Sequence, residues 1–420
     1  MNLQIGKILK MTIYLLYIDP GTGSALFSIL IGAAATFYFL GRALLLKLKV
    51  ILSGGRVIPP TGAPNSYIVY NEGKQYSNVF KPVLEEFESR GINLLYLTSS
   101  SDDPLLCNPY KYIKGEYIGE GNKAFSRLNM INADVVLMTT PGLDVYQLKR
   151  SKGVKHYSHI LHYPSDATLY RLFGLDYFDS ILLTGDHQAD DIRVLEKQRG
   201  IKPKQLIVTG CTYLDVFMEK IKLMPKEEHH LFTVLVSPSW GNSGILSRFG
   251  DKLLDPLIET GFRIIVRPHP QSAISEKSTL DGLYRKYKEV SNLVWDYESE
   301  NITSLSKADI MISDFSGIIF DYAFLFHKPV IYIKQGFDPR PYDADDLGEG
   351  AIENLWHFRT AEEIGKELRE DEFSHIGEII QSMSDNIEKR QARLRAKNIA
   401  WKYPGEAGKR IVDYLTNLVK

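Results

Sequence analysis

From residue 65 onward the chain repeats one pattern: a short apolar run, a turn, then a stretch with helical spacing. SYIVY (66–70) leads into a Gly-containing loop and a helix over Ser77–Ser89. INLLYLT (92–98), ADVVLMT (133–139), YSHILHY (157–163), DSILLT (179–184) and KQLIVTG (204–210) follow in the same manner. A charged helical piece, Asp215 to His230, then interrupts the series. The pattern restarts with LFTVLVS (231–237), FRIIVRP (262–268), NLVWD (292–296), ADIMIS (308–313) and PVIYI (329–333). Such runs do not alternate with polar residues, so they predict strands buried on both faces, in parallel sheets covered by helices. The interruption near 212–230 predicts two α/β halves. No repeat with a period of about 20–50 residues exists, which excludes a solenoid. From about Glu362 the sequence is helical and highly charged, as a solvated face requires.

The N-terminus differs in kind. Residues 20–41 carry no charge. As a helix they would span about 33 Å, enough for a bilayer core. Arg42, Lys47, Lys49 and Arg56 follow, so the positive-inside rule keeps the rest of the chain cytoplasmic. Lys7 and Lys10 pull the other way. A cleaved signal peptide fits less well, because Asp19-Pro20-Gly21 interrupts the early apolar run and apolar sequence continues past Ala33-Ala34-Ala35. A buried soluble helix, or one re-entering a single leaflet, is the alternative. The expectation is a single membrane anchor over 1–58, then a linker at PPTGAP (59–64).

Charge narrows the partners. The 50 basic and 51 acidic residues nearly cancel, which gives no support to a nucleic-acid partner. Cys107 and Cys211 lie far apart, consistent with a reducing compartment and no disulfide framework.

In open α/β sheets, ligands bind outside the carboxyl ends of the strands. Three strand ends of the second half stand out: SPSWGNSG from Ser237, Arg267-Pro268-His269-Pro270, and Ser313-Asp314-Phe315-Ser316-Gly317. Together they offer hydroxyls, backbone amides, an arginine and a histidine, with Asp314 and Asp321 as the only acids, an inventory suited to a diphosphate. The prolines fix His269 at its strand end. Ser316 and Gly317 open a helix whose first amides and dipole attract an anion. Asp321, one turn further on, is placed for ribose hydroxyls or for the helix surface; Asp314 for a contact with the donor or, as the favoured single role, for an N-cap. In the first half, His156, His159 and His162 are spaced by three, but strand alternation puts His159 on the opposite face, which argues against a metal. His162, at the carboxyl end, is placed to act as a general base. NEGKQYSN (71–78) and TTPGLD (139–144) end neighbouring strands; Lys74 reads as a solvated loop lysine. Asp343-Ala344-Asp345-Asp346 has an Asp-X-Asp form but no strand end beside it, and reads as a solvated loop. No G-x-S-x-G elbow, Walker loop or zinc spacing occurs, so no protein-bound metal is expected.

SDFSGIIFDYAFLFHKPVIY (313–332) resembles the signature of the CDP-glycerol glycerophosphotransferases, the teichoic acid polymerases and primases. RPHP (267–270) resembles their second-domain histidine motif, VSPSW (236–240) a strand end, Gly210 to Asp215 the interdomain join, and GEAGKR (405–410) the closing helix. The resemblance covers roughly 65–418. It implies a GT-B fold: two Rossmann-like domains with a cleft between them, an acceptor domain over 65–212 and a CDP-donor domain over 213–385, with helices of 386–420 packing back across both. It implies transfer of a polyol phosphate from CDP-glycerol or CDP-ribitol to a hydroxyl of a lipid-linked or glycan acceptor at the membrane, releasing CMP. No tightly bound cofactor is implied; Mg2+ arriving with the donor is compatible. Position by position, His269, Ser313, Ser316 and Gly317 would hold the diphosphate, and His162 would be the base. Leu-His-Tyr-Pro-Ser (161–165) stands where the family has Trp-His-Gly-Thr-Pro, which points to a divergent branch acting on a capsule or lipopolysaccharide glycan. Two rivals share these features: a GT-B glycosyltransferase using a nucleotide-sugar, and a non-catalytic membrane-anchored scaffold.

Overall fold

The computed structural model describes residues 65–419 except 226–230, 299, 335–336, 339, 341, 349 and 385, together with Thr36 and Gly41. The expected anchor over 1–58 therefore lies outside the described residues. Among the described residues, no helix is long and apolar enough to cross a membrane.

The strands are β1 (Asn65–Asn71), β2 (Leu94–Thr98), β3 (Ile113–Tyr117), β4 (Asn132–Met138), β5 (Gly153–Ile160), β6 (Ser180–Leu183) and β7 (Gln205–Val208). The second series is β8 (Thr233–Val236), β9 (Arg263–Val266), β10 (Leu293–Trp295), β11 (Ile310–Ser313), β12 (Val330–Tyr332) and β13 (Gly365–Glu367). The first series forms a sheet in the order β3-β2-β1-β4-β5-β6-β7, the second in the order β10-β9-β8-β11-β12-β13. Every pairing among them is parallel. Each sheet therefore reverses direction once, between β1 and β4 and between β8 and β11. At those points the following loops diverge and leave a crevice. The central strands are the most apolar: Val234, Val236, Ile264, Ile310 and Ile312 are fully buried, each contributing about 1.5–3 kcal/mol by leaving water. The pattern of apolar runs misses β3 and β13. Both are edge strands, and β3 buries only Ile113 well, so no apolar run marks it.

The helices that position the site are α1 (Ser77–Ser89), α2 (Ala189–Arg199), α3 (Thr212–Leu223), α4 (Ile318–Phe326), α5 (Trp356–Ile364), α6 (Ile387–Ala400) and α7 (Ala407–Asn417). Helix α3 carries the chain from the first sheet to the second, and α6 and α7 carry it back. Ala392, Ala396 and Ala400 of α6 join the core of the second sheet. Ile411, Val412 and Leu415 of α7 join the core of the first. Asp215 holds this return crossing. Its buried carboxylate accepts from Trp401 Nε1 (3.0 Å) and from the amides of Gly405 (2.8 Å) and Ala407 (3.1 Å). Gly210 sits at φ +95°, and a Cβ there would lie 2.5 Å from the Lys402 carbonyl, so only glycine allows this approach. Gly408 likewise lets α7 close on Pro82 of α1, where a Cβ would come within 2.6 Å of the carbonyl oxygen.

Candidate active site

The two loops at the β8/β11 reversal are sewn together by Asp314. It is 1% exposed, and its carboxylate accepts from Ser239 N (3.0 Å), Ser239 Oγ (2.7 Å), Ile245 N (3.1 Å) and Ser316 N (3.1 Å). Burial raises its pKa, and these hydrogen bonds oppose the rise. Asp314 thus has no oxygen left for a ligand; it shapes the loop that holds Ser316. Ser313 is also committed, fully buried with its hydroxyl donating to the Ser237 carbonyl (2.5 Å). The expectation that Ser313 and Asp314 contact the donor is corrected accordingly.

Arg267 requires a second correction. Its Nη1 pairs with Asp296 (2.5 Å) and its Nη2 donates to the Glu298 carbonyl (2.7 Å). Asp296 closes β10, and the acid count at the strand ends left it out. The guanidinium lines the cleft already neutralised. The 343–346 loop is only half solvated: Asp345 and Asp346 are exposed, but Asp343 is 1% exposed and binds Arg199 at 2.7 Å, which also holds Asp176 and Asp346. Lys74 is exposed and paired with Asp102. Among the described residues, no group of three or more His, Cys, Asp or Glu is arranged to hold a metal ion.

The two histidines present opposite faces of their chemistry. Thr139, just past β4, donates its hydroxyl proton to the Ile160 carbonyl (2.9 Å). Its Oγ1 also lies 2.7 Å from His162 Nδ1. A hydroxyl has one proton, so toward His162 it accepts. Nδ1 therefore carries the hydrogen, and Nε2 keeps a lone pair. Burial draws the His162 pKa down to about 4, so the ring is neutral at physiological pH. At His269 the order reverses. The Gln271 amide donates to Nδ1 (3.1 Å), leaving the hydrogen on Nε2. Burial lowers this pKa too, and Glu276 partly restores it. These proton positions are assigned from the partners. One ring is an acceptor and the other a donor.

They meet in one cleft. A cavity of about 420 Å³ is lined by His162, His269, Ser316, Gly317 and Asp321. A neighbouring cavity of about 630 Å³ is lined by Ser237, Arg267, His269 and Ser316. The cleft thus brings together all the residues named from the sequence except the buried Ser313 and Asp314. Sequence reasoning missed Gln75, Tyr213 and His357, which also line it. Gln75 lies in the post-β1 loop, where the strand-end rule would have found it. His357 sits on α5, its Nδ1 2.8 Å from Ser165 Oγ, and no strand end marks it. The alternation separates His156, beside Tyr414 of α7, from His159, beside Tyr170 and Phe178; it does not separate His159 from His162, which lies past the end of β5 and packs on the same Tyr170 ring.

Asp321 is 9% exposed and its Oδ1 has no hydrogen-bond partner. Burial pushes its pKa from 3.8 to about 8, so near neutral pH it is a carboxylic acid, able to donate as well as accept. Between those two values the folded chain keeps a proton that the unfolded chain has lost. The group's contribution to stability is thus full below about pH 4 and is lost as pH rises through about 8. Asp321→Asn removes the titration. It should melt later than the parent at pH 8, with the gap closing toward pH 4; a gap independent of pH would contradict the assignment.

Residues 190–417, over half of the chain, match the family described as CDP-Glycerol:Poly(glycerophosphate) glycerophosphotransferase. The chain belongs to this family. It is a glycerophosphotransferase-type transferase, as the sequence resemblance implied. No curated protein matches it. Among solved structures, the glycerophosphotransferase chain is similar to the wall teichoic acid polymerase TagF, at 13% identity and a TM-score of 0.55, covering 90% of this chain and 97% of that one. It is similar to the UDP-GlcNAc 2-epimerase of Methanocaldococcus jannaschii at 15% and 0.52, covering 84% and 99%. It is also similar to MnaA of S. aureus at 15% and 0.54, covering 84% and 97%. At these identities the likeness speaks to the fold, two parallel sheets of GT-B type, and not to the substrate.

Proposed function

We propose that this glycerophosphotransferase moves glycerol phosphate from CDP-glycerol to an acceptor hydroxyl and releases CMP. The observation that carries the reading is the pair of neutral histidines with opposite tautomers on one cavity. The acceptor oxygen attacks the phosphorus that bears the glycerol. A new O–P bond forms, and the bond from that phosphorus to the bridging oxygen of CMP breaks. His162 Nε2 takes the acceptor proton. His269 Nε2–H and the helix start at Ser316–Gly317 offset the charge that collects on CMP. Catalysis of this kind is mostly positioning and electrostatics. Among the described residues lining the two cavities the cations are Arg267 and Lys74, both paired with acids, so neutral N–H donors carry much of the task.

We further propose that the acceptor belongs to a lipid-linked or cell-surface glycan, and that residues 1–58 hold the enzyme at the cytoplasmic face of the membrane. The uncharged stretch 20–41 and the basic residues after it support that placement. Calorimetric titration of the full chain in detergent is the test of the donor. CDP-glycerol and CMP are expected to bind, and Ser316→Asp, which sets a negative charge at the phosphate position, is expected to abolish both. Preference for UDP-N-acetylglucosamine would overturn the reading in favour of a sugar transferase.

A further inference from the structure

We propose that the cavity over the carboxyl ends of β1, β2 and β3 is the acceptor subsite, and that it takes an uncharged, hydroxyl-rich glycan rather than a phosphodiester chain. This rests on the transfer reading above and adds the class of the second substrate.

The cavity holds about 420 Å³. Tyr70 at the end of β1 and Ser99 after β2 are buried in it, their hydroxyls 2.8 Å apart. Glu72, Glu120 and Phe125 complete the chemistry of its lining. Burial pushes the Glu72 pKa up, which marks a carboxyl withdrawn from water. Gln75 lines this cavity and both cavities of the catalytic cleft. The next residue, Tyr76, sets its ring 4.9 Å from that of His162. The cavity over β1–β3 therefore adjoins the His162 cavity at Gln75, beside Tyr76.

Charge chooses the ligand. Among the described residues lining this cavity and the His162 cavity there is no lysine or arginine. Lys74, close by in sequence, is tied to Asp102 at 2.5 Å. A poly(glycerol phosphate) chain brings one negative charge per unit. Here it would meet Glu72 and Glu120 with no cation to offset the repulsion. A sugar presents neighbouring hydroxyls, each a donor that a carboxylate accepts at full strength. It also offers a C–H face suited to an aromatic ring such as Phe125.

Saturation-transfer NMR on the full chain tests this without any donor present. The probes are maltotetraose, cellotetraose and chitotetraose, set against a tetramer of glycerol phosphate. Transfer to at least one tetrasaccharide is expected, and none to the glycerol phosphate tetramer. Glu72→Gln combined with Glu120→Gln is expected to weaken the sugar about tenfold or more. Binding of the glycerol phosphate tetramer, binding of no tetrasaccharide, or undiminished binding by the double variant would each overturn the subsite. A melting temperature within about 2 °C of the parent shows that the variant is folded; if it melts early, Ser100→Ala and Phe125→Ala take its place, and the same weakening is required of them. Since CDP-glycerol plays no part, these outcomes stand apart from failure of the donor to bind, which would remove the transfer reading instead.

Discussion

Alanine at position 162 is expected to lower CMP release by about 10²–10⁴-fold while CDP-glycerol binds as before. The lone pair on Nε2 is the group lost; His269 presents a hydrogen instead, and His357, whose Nδ1 faces Ser165 Oγ and whose Nε2 has no partner, is the other imidazole on the cavity. The pH profile adds a second readout. A base works in its neutral form, which for His162 lies above a pKa of about 4. Turnover in the parent should therefore fall only as pH drops toward about 4, and this acid limb should vanish in the residual activity of His162→Ala. An acid limb unchanged by the substitution, or turnover within a factor of about two of the parent, would assign the proton to another group.

The second large effect is at His269. Removing one preorganised donor to a developing oxyanion typically costs about 10²–10³ in rate, and His269→Ala should show a loss of that size with the fold intact. The side chain lies at the cleft rim, open to solvent on one side and crowded on the other enough to lower its pKa, held by one amide and flanked by prolines, so little packing is lost with it. His269→Gln tests the assigned tautomer, because a glutamine amide restores an N–H. Partial recovery in Gln over Ala is the expected ranking. Equal activity of all three would take His269 out of the mechanism.

The sequence made the interior strands legible because they are continuous apolar runs buried on both faces. It hid β3 and β13, whose edge positions ask for little apolar surface. The strand-end rule led to His162, His269, Ser316 and Gly317, since each follows a strand that the apolar pattern marks. It could not say which polar groups spend themselves inside the protein. Asp296 neutralises Arg267 from a different strand, and Asp314 turns from the cavity to three donors on the facing loop and one on its own. Such pairings depend on register between strands, which a single chain of letters does not record. The histidine tautomers belong to the same class: Thr139 fixes one only because β4 and β5 run side by side.

The return of α7 to the first sheet bears on how the chain is made. A ribosome delivers β1 to β7 first, yet Ile411, Val412 and Leu415 of that sheet's core arrive only after the whole second sheet. Until they do, the layer containing Val79, Phe80 and Val83 stays open to water and to other nascent chains. The half synthesised first is therefore the half completed last. A translation stop just before Ala407 leaves the first sheet unfinished, and loss of Asp215, which docks the returning segment, would lengthen the same period of exposure.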